Sequence, residues 1–175
     1  MSVSKKVIRT SVIPGKANPQ QLSQQLSQLG LDVNKVVNVI NEKTKILASY
    51  GLKNVSVELE VDLDTKEIDI KLELPAISEL ILRAIGREEG SHKSINEIIG
   101  DLDLEKLAEI TYIKWDELKC RNFKAALKQV VSTCRSVGVT INGKDPREVI
   151  KEIDNGLHSD IISKYEEKLR SEGRL

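Results

Sequence analysis

The chain has 175 residues, 39% of them hydrophobic and only 3% aromatic, with 27 Lys and Arg set against 27 Asp and Glu. That length holds one good-sized domain or two small ones, with cores built from Ile, Leu and Val, and zero net charge excludes a general nucleic-acid glue, so any anion site has to be local. Two cysteines, Cys120 and Cys134, are too few for a disulfide scaffold, and neither a secretory leader nor an apolar run of membrane-span length occurs. The expectation is a soluble protein of a reducing cytoplasm.

In chain order, Lys5 to Ile13 alternates weakly and predicts a first strand, which Pro14-Gly15 breaks. A Gln-rich segment follows with Leu22, Leu26 and Leu29 at helical spacing, Asn18 placed to cap it and Pro19 suited to its first turn. Asp32 caps a stronger helix whose Val33, Val36, Val37 and Ile40 share one face. Val55 to Val61 and Ile68 to Leu74 alternate on either side of an Asp62–Lys66 turn, giving a hairpin. Residues 1–73 therefore form an N-terminal α+β domain, one sheet covered by helices.

Pro75 marks a boundary, with a place for it in the first turn of a helix carrying Leu80, Ile81 and Ala84 as far as Gly86. Arg87 to Ile99 reads as a polar loop. Leu102, Leu104, Leu107, Ala108 and Ile110 belong to the next helix, capped by Asp103, and Trp115 to Cys120 is a connection. Periodicity from here is helical, so residues 74–143 are expected to be a compact, mainly α-helical domain. Residues 144–175 form a C-terminal helical extension: Asp145-Pro146-Arg147-Glu148 is a helix start, Asn155-Gly156 a stop, and Ile161, Tyr165 and Leu169 recur at spacing four after Ser159.

The chain is organised around Arg121 to Gly143. Phe123, Ala126, Leu127, Val130, Val131, Cys134 and Val137 trace one buried helical stripe, while Arg121, Lys124, Lys128 and Arg135 occupy the other face. No acidic residue occurs anywhere in this segment, so the face is suited to anions. Gly138 follows the last periodic residue and can take the left-handed conformation, after which Val139-Thr140-Ile141 alternates as a short strand and Asn142-Gly143 turns. The plainer account of the same pattern is a helix with a solvated basic face.

The string STCRSVGVTI, Ser132 to Ile141, resembles the GTARSMGI signature of the ribosomal protein L-eleven family. PGKANP (Pro14 to Pro19), Gln28 to Thr44, the Pro75-led helix with Arg83, GDLDLEKLAEI (Gly100 to Ile110) and Ser132 to Gly156 are similar to the family in order and separation, and the final helices look archaeal. The resemblance implies a structural constituent of the large ribosomal subunit at the stalk base, binding the factor-associated rRNA segment through its C-terminal domain. It implies stalk proteins and translation factors as partners of the N-terminal domain, and no catalytic step, cofactor or membrane. Carried over residue by residue, the nucleic-acid-binding positions are Pro75, Arg83, Gly86, Lys93, Lys128, Ser132, Thr133, Arg135, Ser136, Val137 and Gly138. Hydroxyls and guanidinium would meet phosphate and ribose oxygens, and glycine would admit the RNA backbone closely.

The chain also departs from the family. Gln20-Gln21-Leu22-Ser23-Gln24-Gln25 stands where the family has a PPLGP-type run, which allows helix in place of a rigid loop. Ser132 replaces a glycine, Val137 a methionine and Ile98 a basic residue, and from Glu58 to Glu117 acids outnumber bases 17 to 7. The rival reading is a diverged paralogue that binds protein through its Gln-rich helix and acidic hairpin, with weak or no rRNA affinity. His92 and His158 are far apart, each without a nearby Cys or second His in sequence, so a metal site is not expected. Asp62, Asp64, Glu67 and Asp69 lack the glycine and closing glutamate of a calcium loop, and no phosphate loop or nucleophile elbow occurs.

Overall fold

Strict alternation makes Val55–Asp62 (β2) the centre of the first unit: Val55, Val57, Leu59 and Val61 are all buried, and the residues between them are not. In the computed structural model, which describes residues 4–87 and 97–175, the chain divides into two units, Met1–Leu74 and Pro75–Leu175. Eight α-helices and two small sheets are found among the described residues.

In the first unit, β1 (Lys5–Val12) and β3 (Ile68–Glu73) flank β2 in an antiparallel meander, with Arg9 opposite Glu58 and Glu58 opposite Lys71. One face is covered by α1 (Pro19–Gln28) and α2 (Val33–Thr44), which press Leu22, Leu26, Val36, Val37 and Ile40 onto Ile8, Val57 and Leu59. Each fully buried aliphatic side chain contributes roughly 1.5–3 kcal/mol. The opposite face carries ion pairs, Lys5 to Glu60 at 2.5 Å and Arg9 to Glu58 at 3.1 Å.

Both helices start where the sequence places their caps: Asn18 accepts from the Gln20 N–H with Pro19 at the first position, and Asp32 accepts from the Asn34 and Lys35 N–H groups. The Gln-rich stretch is thus helical, as the missing prolines allow. A 3₁₀ segment, Lys45–Tyr50, buries Leu47 and Tyr50, and the pattern does not reveal it because two apolar residues three apart are too short a periodicity. The Asp62 carboxylate accepts from the Asp64 and Thr65 N–H groups at 2.9 and 3.1 Å, so it closes the hairpin turn itself.

The second unit is built around α6 (Phe123–Val137). All seven predicted apolar residues are buried; α3 (Ile77–Ala84), α4 (Leu104–Ile113), α7 (Pro146–Asp154) and α8 (Ser159–Ser171) pack around it. Pro75 does not sit in the first turn of α3: Ala76 is the cap residue, and the Pro75 carbonyl accepts from the buried Lys114 ammonium at 2.9 Å. Proline is held there as the entry to the unit, through its carbonyl and not its ring.

Two further expectations change. Leu102 lies in a strand, not in the helix after it: β4 (Gly100–Leu102) pairs in parallel with β5 (Val139–Ile141). A three-residue strand whose partner lies some forty residues away leaves no local signature. Trp115–Leu118 (α5), expected as a connection, is a short helix with Trp115 buried.

Although aromatics are scarce, four cluster here. Phe123 stacks on Tyr165 with centroids 5.5 Å apart, Trp115 lies 6.3 Å from Phe123, and Tyr112 lies 5.9 Å from Tyr165. That cluster fastens α8 to α4 and α6. The chain end does not fade into solvent: the Trp115 indole donates to the Arg174 carbonyl at 2.8 Å, and the Arg174 guanidinium donates to the Tyr112 carbonyl and pairs with Asp116.

Candidate nucleic-acid interface

Helix α6 begins at Asn122, whose side chain accepts from the Ala125 N–H at 2.9 Å, and ends at Gly138 in the left-handed conformation, φ +92°. Between these ends the helix is fixed by burial on one side. Its exposed side, near the C-terminal end, carries Ser132, Arg135 and Ser136, with Thr133 half-buried beside them.

The three hydroxyls are not idle. Ser132 donates to the Lys128 carbonyl at 2.9 Å, Thr133 to the Gln129 carbonyl at 3.1 Å and Ser136 to the Thr133 carbonyl at 2.8 Å. With their protons committed to the helix, their oxygens offer lone pairs outward and act as acceptors; donating to a phosphate oxygen requires breaking the intrahelical bond. Arg135 is different: among the described residues it has no hydrogen-bond or ion-pair partner, and its five N–H donors are available to an anion.

Its charge acts on Asp145. Hydrogen bonds from the Arg147 side chain and backbone hold the Asp145 carboxyl below the usual carboxylate range, and the Arg135 charge adds to that effect. Lys128, on the same stripe as Arg135, is paired with Asp154 at 2.6 Å. It reaches an incoming phosphate only in competition with that carboxylate.

Gly138 has an internal reason to be glycine besides its φ. A Cβ built there would run into the carbonyl oxygen of Glu97, and the Ile99 N–H donates to the Gly138 carbonyl at 2.7 Å. The segment entering β4 is laid directly on this residue, so that side of Gly138 is filled by the chain itself. Val137 is buried at 8% exposure and supports the surface from beneath. Arg83 is paired with Glu79 one turn earlier at 3.1 Å. Gly86 follows α3 with φ +75°, and among the described residues nothing lies within 4 Å of a Cβ built there. Pro75 is half-buried, and Lys93, like Glu88, Glu89 and His92, lies outside the described residues.

The structure therefore brings Ser132, Thr133, Arg135 and Ser136 onto one exposed patch, with Lys128 one turn below, and turns Val137 inward. Arg147, part of a helix start in the sequence, forks onto Asp145, the carboxylate on which the Arg135 charge also acts. No periodicity could have placed it there, because α6 and α7 meet only after the chain has passed through β5 and a turn. That turn, Asn142-Gly143 with φ +51° and +76°, is pinned by the Asp101 carboxylate, which accepts from the Gly143 N–H at 2.8 Å and the Thr140 hydroxyl at 2.6 Å.

Comparison with known proteins bears on the same residues. The family model described as "Ribosomal protein L11, RNA binding domain" matches residues 73–141, which spans α3 to β5. The large ribosomal subunit protein uL11 of Sulfolobus acidocaldarius is 42% identical over 164 residues, covering 93% of this chain and 95% of that protein. The uL11 proteins of Methanopyrus kandleri and Pyrococcus furiosus are 38% and 40% identical over 165 residues, each covering 94% of this chain and 98% and 99% of their own lengths. Identity of this order across both units, together with the family model on the helical core, makes the chain a member of the ribosomal protein L11 (uL11) family.

Proposed function

We propose that the chain is a structural, non-enzymatic component of the large ribosomal subunit, working in the cytoplasm, and that its second unit binds large-subunit rRNA. The observation that carries this reading is Arg135: an exposed guanidinium without a partner among the described residues, set among Ser132, Thr133 and Ser136, inside the segment matched by an RNA-binding family model. Arg135 takes phosphate oxygens, while the hydroxyl oxygens, their protons held by the helix, accept from ribose 2′-hydroxyls. Pro75, Arg83, Gly86, Lys93, Lys128, Val137 and Gly138 complete the interface as direct contacts or as its support, and recognition follows RNA shape more than sequence.

In the same reading, residues 1–73 are an N-terminal domain facing stalk proteins and translation factors, 74–143 the rRNA-binding domain, and 144–175 an extension that the aromatic cluster ties to it. The rival reading, a paralogue devoted to protein binding, is set aside because identity to uL11 proteins runs through nearly the whole chain.

The test is binding of the purified chain to the factor-associated rRNA fragment, titrated across salt, with Arg135→Ala alongside. Loss of one phosphate contact should weaken binding and lower the slope of log K against log salt by about 0.7–0.9. Equal affinity and equal slope for the two proteins would refute the role given to Arg135.

A further inference from the structure

The cations of α6 face a second set on α7. Lys128 and Arg135 are seven residues apart, about 10 Å along the helix, with the exposed Ser132 between them. Lys128 pairs with Asp154 at the end of α7, while Arg135 acts on Asp145 at its beginning, so the two helices run antiparallel along a common seam. Arg147 and Lys151, both exposed and one turn apart, lie on the stripe of α7 that leads to Asp154.

The acids of this seam are already engaged. Arg147 holds Asp145 in a forked pair, Nε to Oδ1 at 3.1 Å and Nη2 to Oδ2 at 3.2 Å, and Lys128 holds Asp154 at 2.6 Å. Glu152 is turned the other way, bonded to Lys144 and His158, and Glu148 also acts on Lys144. Four cations therefore meet two neutralised acids, and even with the exposed Glu148 counted against them the seam keeps a positive excess. The fork also fixes Arg147: two of its five N–H groups are spent on Asp145 and the rest remain available to a ligand.

We propose that the seam between α6 and α7 is a second track for the RNA backbone, in which Arg147 and Lys151 take phosphate oxygens alongside those held by Arg135. This rests on the rRNA reading above and extends it to residues 146–154, which lie beyond the segment matched by the RNA-binding family model. Asp145 is a positioning residue: it holds the Arg147 fork in place and itself touches no phosphate. A strand of phosphates is the occupant the charges fit, because the cations are spread along the seam in a line and not gathered around one point.

The experiment uses the full chain and its large-subunit rRNA fragment, with affinity measured at several salt concentrations for the unaltered protein, Arg147→Gln/Lys151→Gln, Lys151→Gln alone, Arg147→Lys and Arg135→Ala. The double variant should lower the salt slope by about 1.4–1.8 and so bind about 25–60-fold more weakly near 0.1 M salt; Lys151→Gln alone should lower the slope by about half of that, and Arg147→Lys should keep it. The Lys151 side chain has no hydrogen-bond or ion-pair partner among the described residues, so its single variant reads the interface without touching the fold. Unchanged slopes for the double and Lys151→Gln variants, with Arg135→Ala lowered, would overturn the seam and leave the rRNA reading standing. If Arg135→Ala is unchanged as well, the reading beneath it falls too.

Discussion

Replacing Gly138 by alanine should be the most damaging single-methyl change in the second unit. Two costs add. At φ +92° an L-residue pays about 1–2 kcal/mol for the left-handed conformation. The new Cβ also meets the Glu97 carbonyl oxygen, a backbone atom that cannot swing aside as a long side chain would. Relieving that overlap means shifting the strand entry, at a cost of about 1–3 kcal/mol, with the 2.7 Å hydrogen bond from Ile99 to Gly138 at risk. The sum is about 2–5 kcal/mol.

Gly143→Ala is the control: its φ is +76° but among the described residues nothing lies within 4 Å of its Cβ, so only the conformational cost of about 1–2 kcal/mol applies. Trp115, the only tryptophan of the chain, lies buried in the second unit and reports its unfolding by fluorescence in a denaturant titration. Gly138→Ala should lower stability by at least about 1 kcal/mol more than Gly143→Ala. Equal losses would show that Glu97 gives way freely, and would refute the argument that this glycine is dictated by the chain laid against it.

Three further outcomes follow from the same structure. Asn122→Ala removes the cap of α6 and should cost about 1 kcal/mol in the same titration, whereas Asn122→Asp should be close to neutral. Arg174→Ala breaks the clasp to Tyr112 and Asp116 and should lower stability by about 1–3 kcal/mol and shift Trp115 emission to the red; an unchanged spectrum would mean that the chain end is not held there. Burial pushes the Cys134 thiol up to about 12. Because this folded value lies above the unfolded one, its contribution is fully present below about pH 8.5 and is lost as pH rises towards the folded value, at up to about 1.4 kcal/mol per pH unit. Cys134→Ala should flatten that alkaline decline, and an identical pH profile would contradict it.

What could be read from the sequence was local and periodic. Seven apolar residues of α6 at helical spacing, closed by Gly138, identified the element and its C-terminal end, and Val55 to Val61 gave its strand by alternation; the Asn122 cap is a finding of the structure. What could not be read depends on partners distant along the chain. β4 exists because Gly100–Leu102 finds β5, Pro75 is placed by a carbonyl bond to buried Lys114, and the chain end folds back because Trp115 and Tyr112 hold Arg174.

The interface divides in the same way. Thr133, Arg135 and Ser136 stood out through family resemblance and an acid-free segment, but that the hydroxyls are acceptors, that Lys128 is paired and that Val137 faces inward are matters of geometry. Gly138 is the instructive case. It resembles a residue kept for close approach of RNA, yet the chain's own Glu97 fills the space beside it.

The central claim, a working protein of the large ribosomal subunit, is tested most directly by sedimentation of ribosomes from cells producing the chain, with salt raised in steps and Arg135→Ala compared in parallel. The account predicts that the unaltered chain travels with the large subunit at low and moderate salt and that the Arg135→Ala protein is released at lower salt. Recovery of the unaltered chain in the ribosome-free fraction, even at low salt, would contradict it.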